Sequence, residues 1–402
     1  MAAAGGLGGL IADRGFRRLW LIGAATGVMR WLDMVVAGIF VFDVTGSPAW
    51  VAIVAFMRSM PMIAGLMLGV LAARRPLARL MRIGLVTISA TYAALAVLAL
   101  LDLLTVWQVT LGALIVGIYW SSENSVRRTL ISIAAGPENT GTAISFDWAT
   151  ISALRLAGPF IGGALYGVFG IGAAYLLGLA CFAAALLLAL GVPSQAPSIT
   201  GAGRRLHQDI VDSIAAVRAS PPIQGVLGVS LCLNFFGFTY ASMVPVIGKE
   251  VLHATPADVG LLSSAEGLGA MAGAVVLTVL VRPAWFGRVF LAGSFGVALG
   301  AIGFGLSSAY ALSAAALVLA GTGMAWFASM QSSLVLAHAP SDRRPGIMGV
   351  LTTTIGLGQL GSLQIGWLAG KIGAADAVLL NATLAVLALL TCAWLWPALW
   401  RR

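Results

Sequence analysis

Seven ionisable side chains interrupt long apolar runs in this sequence: Arg30, Asp33, Arg58, Glu123, Asp147, Arg155 and Glu266. A charge in hydrocarbon is costly, so such groups face protein or a watery path and mark routes for ions or substrates. Two roles suit them. One is proton carriage, which needs a buried carboxylate that loads and releases a proton near neutral pH. Asp33 and Glu266 are the first candidates, being the deepest carboxylates away from loop ends, and Asp147 is the third. The other role is a mutually neutralising network that fixes helix packing. Arg30 and Asp33, three apart, share one helical face. Glu123 lies one turn before Arg127 near an inner helix end, where a solvated gate pair is expected.

Covalent chemistry is not expected of this chain. The sequence pairs no serine or cysteine nucleophile with a base, and His338 is the only histidine in an apolar run, near its end. Cys181, Cys232 and Cys392 sit in apolar runs at no metal-ligand spacing, so they read as packing residues and no metal site is expected. A GxxxxGK[ST] phosphate loop is missing as well, so ATP bound to this chain would not drive it. The expectation is a protein that is not an enzyme and needs no cofactor.

The elements that must position the charges follow from composition. Of 402 residues 60% are hydrophobic and 9% charged, and the mean hydropathy is +0.98. A soluble domain of this size needs a polar surface that this chain lacks. The apolar runs do not alternate with polar residues, which excludes a β-barrel. Windows of about twenty apolar residues give an all-α membrane protein of twelve spans. In the first half they cover 19–42, 49–73, 81–101, 106–125, 142–169 and 173–192. In the second they cover 223–248, 257–281, 286–306, 310–337, 347–372 and 375–399. The run that follows Arg14, Arg17 and Arg18 is too long for a signal peptide and reads as the first span.

The net charge of +9 points to topology rather than nucleic acid. Of the 23 Lys and Arg residues, Arg30, Arg58 and Arg155 fall inside spans, and only Lys249 and Lys371 fall on the outer side. The other 18 lie at the termini and the even-numbered connections. That bias places both termini in the cytoplasm. Counting along the helices then puts Asp33 and Arg58 both roughly 21–23 Å above the cytoplasmic helix ends, so the two can pair.

Residues 193–222 form a longer polar connection, flexible over its first part. In its second part Leu206, Ile210, Ile214 and Val217 recur at helical spacing, an amphipathic helix for the inner membrane surface or the helix ends. Dividing the chain there exposes a repeat. TGSPAWV at 45–51 resembles ATPADV at 254–259, and Thr150-Ile151 and Ile161-Gly162 reappear 204 residues later. Arg58 and Glu266 each lie ten residues after the matching prolines, Pro48 and Pro256. The expected units are 1–192, a linker at 193–222, and 223–402, two six-helix halves in one orientation as transporters that rock about a central site require.

Residues 151–170 are apolar, yet hold an arginine, a proline and five glycines. Gly158 and Gly162 are four apart, as are Gly163 and Gly167, the small-residue spacing that lets membrane helices touch backbone to backbone. Arg155 shares the Gly158 stripe, so this face, Pro159 included, packs against other helices.

These motifs resemble the major facilitator superfamily of secondary transporters, in particular the branch of bacterial drug and siderophore exporters. GPFIGG at 158–163 after Arg155 is similar to the fifth-helix antiporter motif. FVFDVTGSP at 40–48 resembles the end of the first helix in that branch, and residues 69–79 resemble a degraded GxLADRxGRR loop with Ala73 in the aspartate's place. The resemblance implies a substrate chamber lined by spans one, four, seven and ten, which offer Trp31, Tyr119, Trp120, Asn234, Phe235, Phe238, Tyr240, Trp326, Phe327 and Gln331. It also implies that span five meets span eight, so that Arg155 can reach Glu266. A lining so aromatic suits a small amphipathic or aromatic compound. The expected activity is proton-coupled efflux by a monomer in the bacterial inner membrane, with small molecule, protons and lipid as partners. The alternatives are an uptake permease for a siderophore-like solute and a non-transporting receptor on the same fold.

Overall fold

A computed structural model describes residues 7–64, 76–193, 206–280, 283–340 and 343–397. Regular structure among them is helical throughout, as a bilayer demands of a chain that must satisfy its own backbone. A short helix, Leu7–Ala12, precedes α1, Arg14–Thr45. The Asp13 carboxylate caps α1 by accepting from the Phe16 amide at 2.7 Å, and Gly46 ends it in the left-handed conformation (φ 59°). Pro48 then starts α2, which is described over Pro48–Ala64. Helix α3 spans Leu77–Leu100.

One helical stretch, Val106–Leu190, contains the next three spans. A capping box of Thr105 and Gln108 opens it, and Gly136 (φ 74°) and Gly170 (φ 73°) divide it into α4 (106–135), α5 (137–169) and α6 (171–190). A linker helix, Leu206–Arg218, leaves Val211 and Ile214 exposed while Val217 packs against the second half. The side chains of Leu206 and Ile210 lie outside the described residues, as do residues 69–75 of the loop motif.

The second half contains α7 (Pro221–Glu250), α8 (Pro256–Leu280), α9 (Phe286–Leu306), α10 (Tyr310–His338), α11 (344–372) and α12 (Ala374–Leu395). A π turn at Leu233–Gly237 interrupts α7, and α11 breaks at Gln359. Among the described residues nine helices are long and apolar enough to cross a bilayer. One of these, Glu138–Leu190, bends at Gly170 into two spans; with α2 and α4 the set makes the expected twelve.

Two large apolar cores result. One uses residues of 10–192 alone, around Phe16, Tyr92, Tyr175 and Phe182. The other joins α7–α12 and takes in residues of α1, α2 and α4 such as Val41, Val51 and Val109. Large apolar side chains such as Trp107, Phe169 and Trp394 stay exposed, the arrangement for a surface that meets lipid.

Helix α5 uses its glycines on two sides. A Cβ on Gly158 would stand 3.0 Å from the Trp31 Cβ, and one on Gly162 would stand 2.9–3.0 Å from Leu32 atoms, so this pair seats α1. Gly163 instead meets the backbone of Pro256 and Gly260 on α8. Gly162→Leu is therefore expected to push α5 off α1 and lose roughly 1–3 kcal/mol, as overpacking does. Gly141→Leu, on the same helix with open space around it, is the control. Thermal unfolding of both variants in detergent checks this; equal midpoints would mean that the α1–α5 seam yields freely.

Candidate functional site

A cavity of about 330 Å³ lies between the two halves. Helices α1, α2 and α5 give it Trp31, Arg58, Arg155 and Pro159; α7, α8, α10 and α11 give it Phe238, Glu266, Met324 and Gln359. Its remaining walls are largely aliphatic, among them Met34, Val35, Val51, Val54 and Val244.

One ion pair lines this cavity, and a second reaches it through its arginine alone. Arg58 donates through Nη2 to Asp33 Oδ2 at 2.5 Å, joining α2 to α1. Arg155 donates through Nη2 to Glu266 Oε1 at 2.7 Å, joining α5 to α8 across the halves. The same nitrogen lies 3.0 Å from the Met324 sulfur, and the guanidinium stands 4.6 Å from the Trp31 ring centre. Both pairs follow the sequence expectation, the first from depth and the second from the resemblance. Gly267 makes the second possible, because a Cβ there would meet the Arg155 carbonyl.

Arg30 does not join Asp33. Its guanidinium lies over the rings of Trp120 (5.1 Å) and Trp31 (5.7 Å), and it forms no ion pair among the described residues. Asp33 turns to α2 because Arg58 offers it a partner at the same depth.

Glu123 and Arg127 do pair, but not as a solvated gate. Arg127 is 1% exposed, Glu123 4% and Asp147 1%. Helix α4 runs on as helix to residue 135, which carries Arg127 inward rather than into a loop. There Arg127 donates to Glu123 and, through Nη1 and Nη2, to both oxygens of Asp147 at 2.5 and 3.1 Å. Gly23 of α1 leaves room for the guanidinium head. Asp147 thus belongs to a buried cluster away from the central cavity.

The aromatic expectations divide. Trp31 and Phe238 line the cavity. Asn234 reaches it through Gln359, whose amide donates to it at 3.3 Å. Trp120 lies under Arg30. Tyr119 is buried against Gly84 and Phe182 within the first half, and Tyr240 is buried in the core of the second. Trp326 donates to the Gly273 carbonyl at 3.0 Å and Gln331 to the Ser230 hydroxyl at 2.5 Å, both within the second half. Phe327 stacks on Phe290, and Phe235 pairs with Phe236.

One cluster went unread. At the end of the bundle away from the termini, Lys249 of α7 pairs with Asp43 of α1, and Tyr166 of α5 donates to the same carboxylate at 2.7 Å. FVFDVTGSP contains Asp43, yet its partners are 123 and 206 residues away, beyond any spacing rule. Beside them Gly38 faces Pro245, so the halves touch at this end.

Known proteins resemble this chain in sequence pattern and in fold. A family model described as transmembrane secretion effector matches residues 9–399. No curated protein matches the sequence. Among solved structures, a mutant of the nucleoside transporter NupG superposes with a TM-score of 0.78 at 14% identity, covering 94% of this chain and 99% of that one. A peptide transporter of the POT family superposes at 0.79 with 11% identity, covering 97% and 95%. An inward-facing, unoccupied bacterial homologue of the human lysosomal transporter Spinster superposes at 0.75 with 13% identity, covering 97% and 99%. Identities this low establish the shared fold.

Proposed function

Because the chain belongs to the transmembrane secretion effector family of major facilitator secondary transporters, we propose that it exports a small amphipathic compound in exchange for protons. The observation that carries this reading is the central cavity, lined by the Arg155–Glu266 pair that bridges the halves and by Arg58, whose partner Asp33 lies behind it in the first half. Asp33 and Glu266 carry the proton in this reading, and each ion pair opens for its carboxylate to do so. Residues 1–192 and 223–402 are the units that rock, linked by 193–222, and the Asp43–Lys249–Tyr166 cluster closes the outer end in the state described. Trp31 and Phe238 supply aromatic surface for the substrate.

Proteoliposomes loaded with candidate amphipathic compounds and given a pH gradient test the proposal. Gradient-dependent loss of compound supports efflux, gradient-dependent gain means uptake, and no movement of any of them sinks transport by this chain.

Topology has its own test. The charge bias places the linker and both termini in the cytoplasm of a bacterial inner membrane. In a cysteine-free background Leu103→Cys, between α3 and α4, is expected to react with an impermeant maleimide added to intact cells, and Ser198→Cys is not. The reverse pattern inverts the orientation.

A further inference from the structure

The chain has three cysteines, all free thiols, and two of them meet. Cys232 of α7 and Cys392 of α12 are 160 residues apart in sequence, yet their sulfurs stand 3.9 Å apart. Cys181 packs instead against the core of the first half. The two facing thiols differ in access. Cys392 is 5% exposed, whereas Cys232 is only partly buried and follows Leu231, which is exposed. Cys392 lies one turn before Leu395, where α12 ends, so the pair stands toward the end of the bundle that carries the termini. An accessible thiol beside a resolving one is the arrangement of a redox-sensing dithiol. A disulfide needs sulfurs about 2.05 Å apart, so each has to swing only about 1 Å toward the other.

The surrounding helices give such a bond a consequence. Cys232 is the last residue of the helical arm Pro221–Cys232, and the π turn Leu233–Gly237 starts at the next position. Turns of this kind are places where a helix bends. Beyond the turn α12 holds α7 by a hydrogen bond, Asn381 Nδ2 donating to Thr239 Oγ1 at 3.1 Å. Before the turn the contact is packing, with Trp396 against Gly228 and sulfur against sulfur. Inside the turn Asn234 accepts from Gln359, which lines the central cavity. A covalent link at Cys232 therefore fixes one arm of a bend that reaches that cavity.

We infer that Cys232 and Cys392 form a peroxide-sensitive dithiol site whose disulfide pins the first arm of α7 to α12 and stiffens the π turn. The site acts whatever compound the cavity takes. In the first step the Cys232 sulfur attacks hydrogen peroxide. The O–O bond breaks, the released hydroxide leaves as water with the thiol proton, and Cys232 becomes a sulfenic acid. The Cys392 sulfur then attacks the Cys232 sulfur. An S–S bond forms, the S–O bond breaks, and the hydroxyl departs as water with the Cys392 proton. Two thiols and one peroxide give one disulfide and two waters, with two electrons passing from sulfur to oxygen. Peroxide suits the place because it is small and uncharged, so apolar surroundings do not bar it as they bar an ion.

The test treats the full-length protein in nanodiscs with hydrogen peroxide, blocks the remaining thiols and maps the peptides by mass spectrometry. A peptide pair linked through Cys232 and Cys392, and released by dithiothreitol, is expected in the wild type and in Cys181→Ser alike. Cys392→Ser removes the resolving thiol, so the sulfenic acid at Cys232 should persist and be trapped by dimedone. In Cys232→Ser the buried Cys392 should stay reduced. Hydrogen–deuterium exchange then reads the bend: amides of residues 233–237 should exchange about threefold or more slowly after oxidation and recover with dithiothreitol. Three results overturn the inference. They are the absence of a linked pair from folded wild-type protein, equal oxidation of Cys392 in Cys232→Ser, and exchange at the π turn that oxidation leaves unchanged. Failure of every compound to move in proteoliposomes would sink the transport reading and leave this site standing.

Discussion

Arg127→Met is expected to remove about 3–5 kcal/mol of stability and most of the folded protein, because it strands two buried carboxylates without a counter-charge. Glu123 and Asp147 are both nearly inaccessible, and Arg127 is their common partner. The triple variant Arg127→Met, Glu123→Gln, Asp147→Asn removes the penalty along with the attraction, so it should regain most of the loss. Gly23→Ala tests the same cluster from α1, where an added Cβ would collide with the guanidinium. Overpacking of that kind costs roughly 1–3 kcal/mol, so its midpoint should fall between those of the single and triple variants. Thermal unfolding in detergent, followed by size-exclusion chromatography, measures all three. Wild-type unfolding of the Arg127→Met protein would show that water enters the cluster and that its charges are solvated after all.

The second large effect concerns coupling. Asp33→Asn and Glu266→Gln keep size and most hydrogen bonding while removing titration near neutral pH. Either is expected to lose gradient-driven transport while substrate still binds and exchanges downhill. Arg58→Ala and Arg155→Ala act in the other sense: each leaves a buried carboxylate without its partner, so the yield of folded protein should fall while the carboxylate itself remains. Folded yield and proteoliposome transport across a series of pH gradients separate the two classes. If both carboxamide variants still couple as the wild type does, the pairs are structural and the proton takes another route.

What the sequence made legible was depth and period. Hydropathy windows gave twelve spans, and counting along α1 and α2 brought Asp33 to Arg58. Rotation about each helix axis was not legible. Tyr119 and Tyr240 stand on the expected spans yet turn into the cores of their own halves, because an all-round apolar helix carries no stripe that says which face meets the cavity. The helix end around Glu123 and Arg127 read as a solvated gate for a related reason. Hydropathy scores each residue alone, whereas here an arginine and two carboxylates satisfy one another and go inside together. Asp43, Lys249 and Tyr166 meet only because three helix ends converge, which no local pattern announces.

The seam between α5 and α8 has a mechanical consequence. Gly163 lies against the Pro256 carbonyl and the Gly260 backbone, Gly260 against Pro159 and Phe160, and Gly267 against Arg155 and Leu156. Along this line the two halves meet as bare main chain. Interlocked side chains act as gear teeth, since one helix slides past another only when rotamers on both sides disengage. A seam of glycines has no teeth to lift, so it behaves as a plain bearing, latched by the Arg155–Glu266 pair and by the Phe160 amide donating to the Ser264 hydroxyl at 3.1 Å. A methyl group added at Gly163 or Gly260 would strike main chain on the facing helix, so it would wedge the bearing apart in the state described.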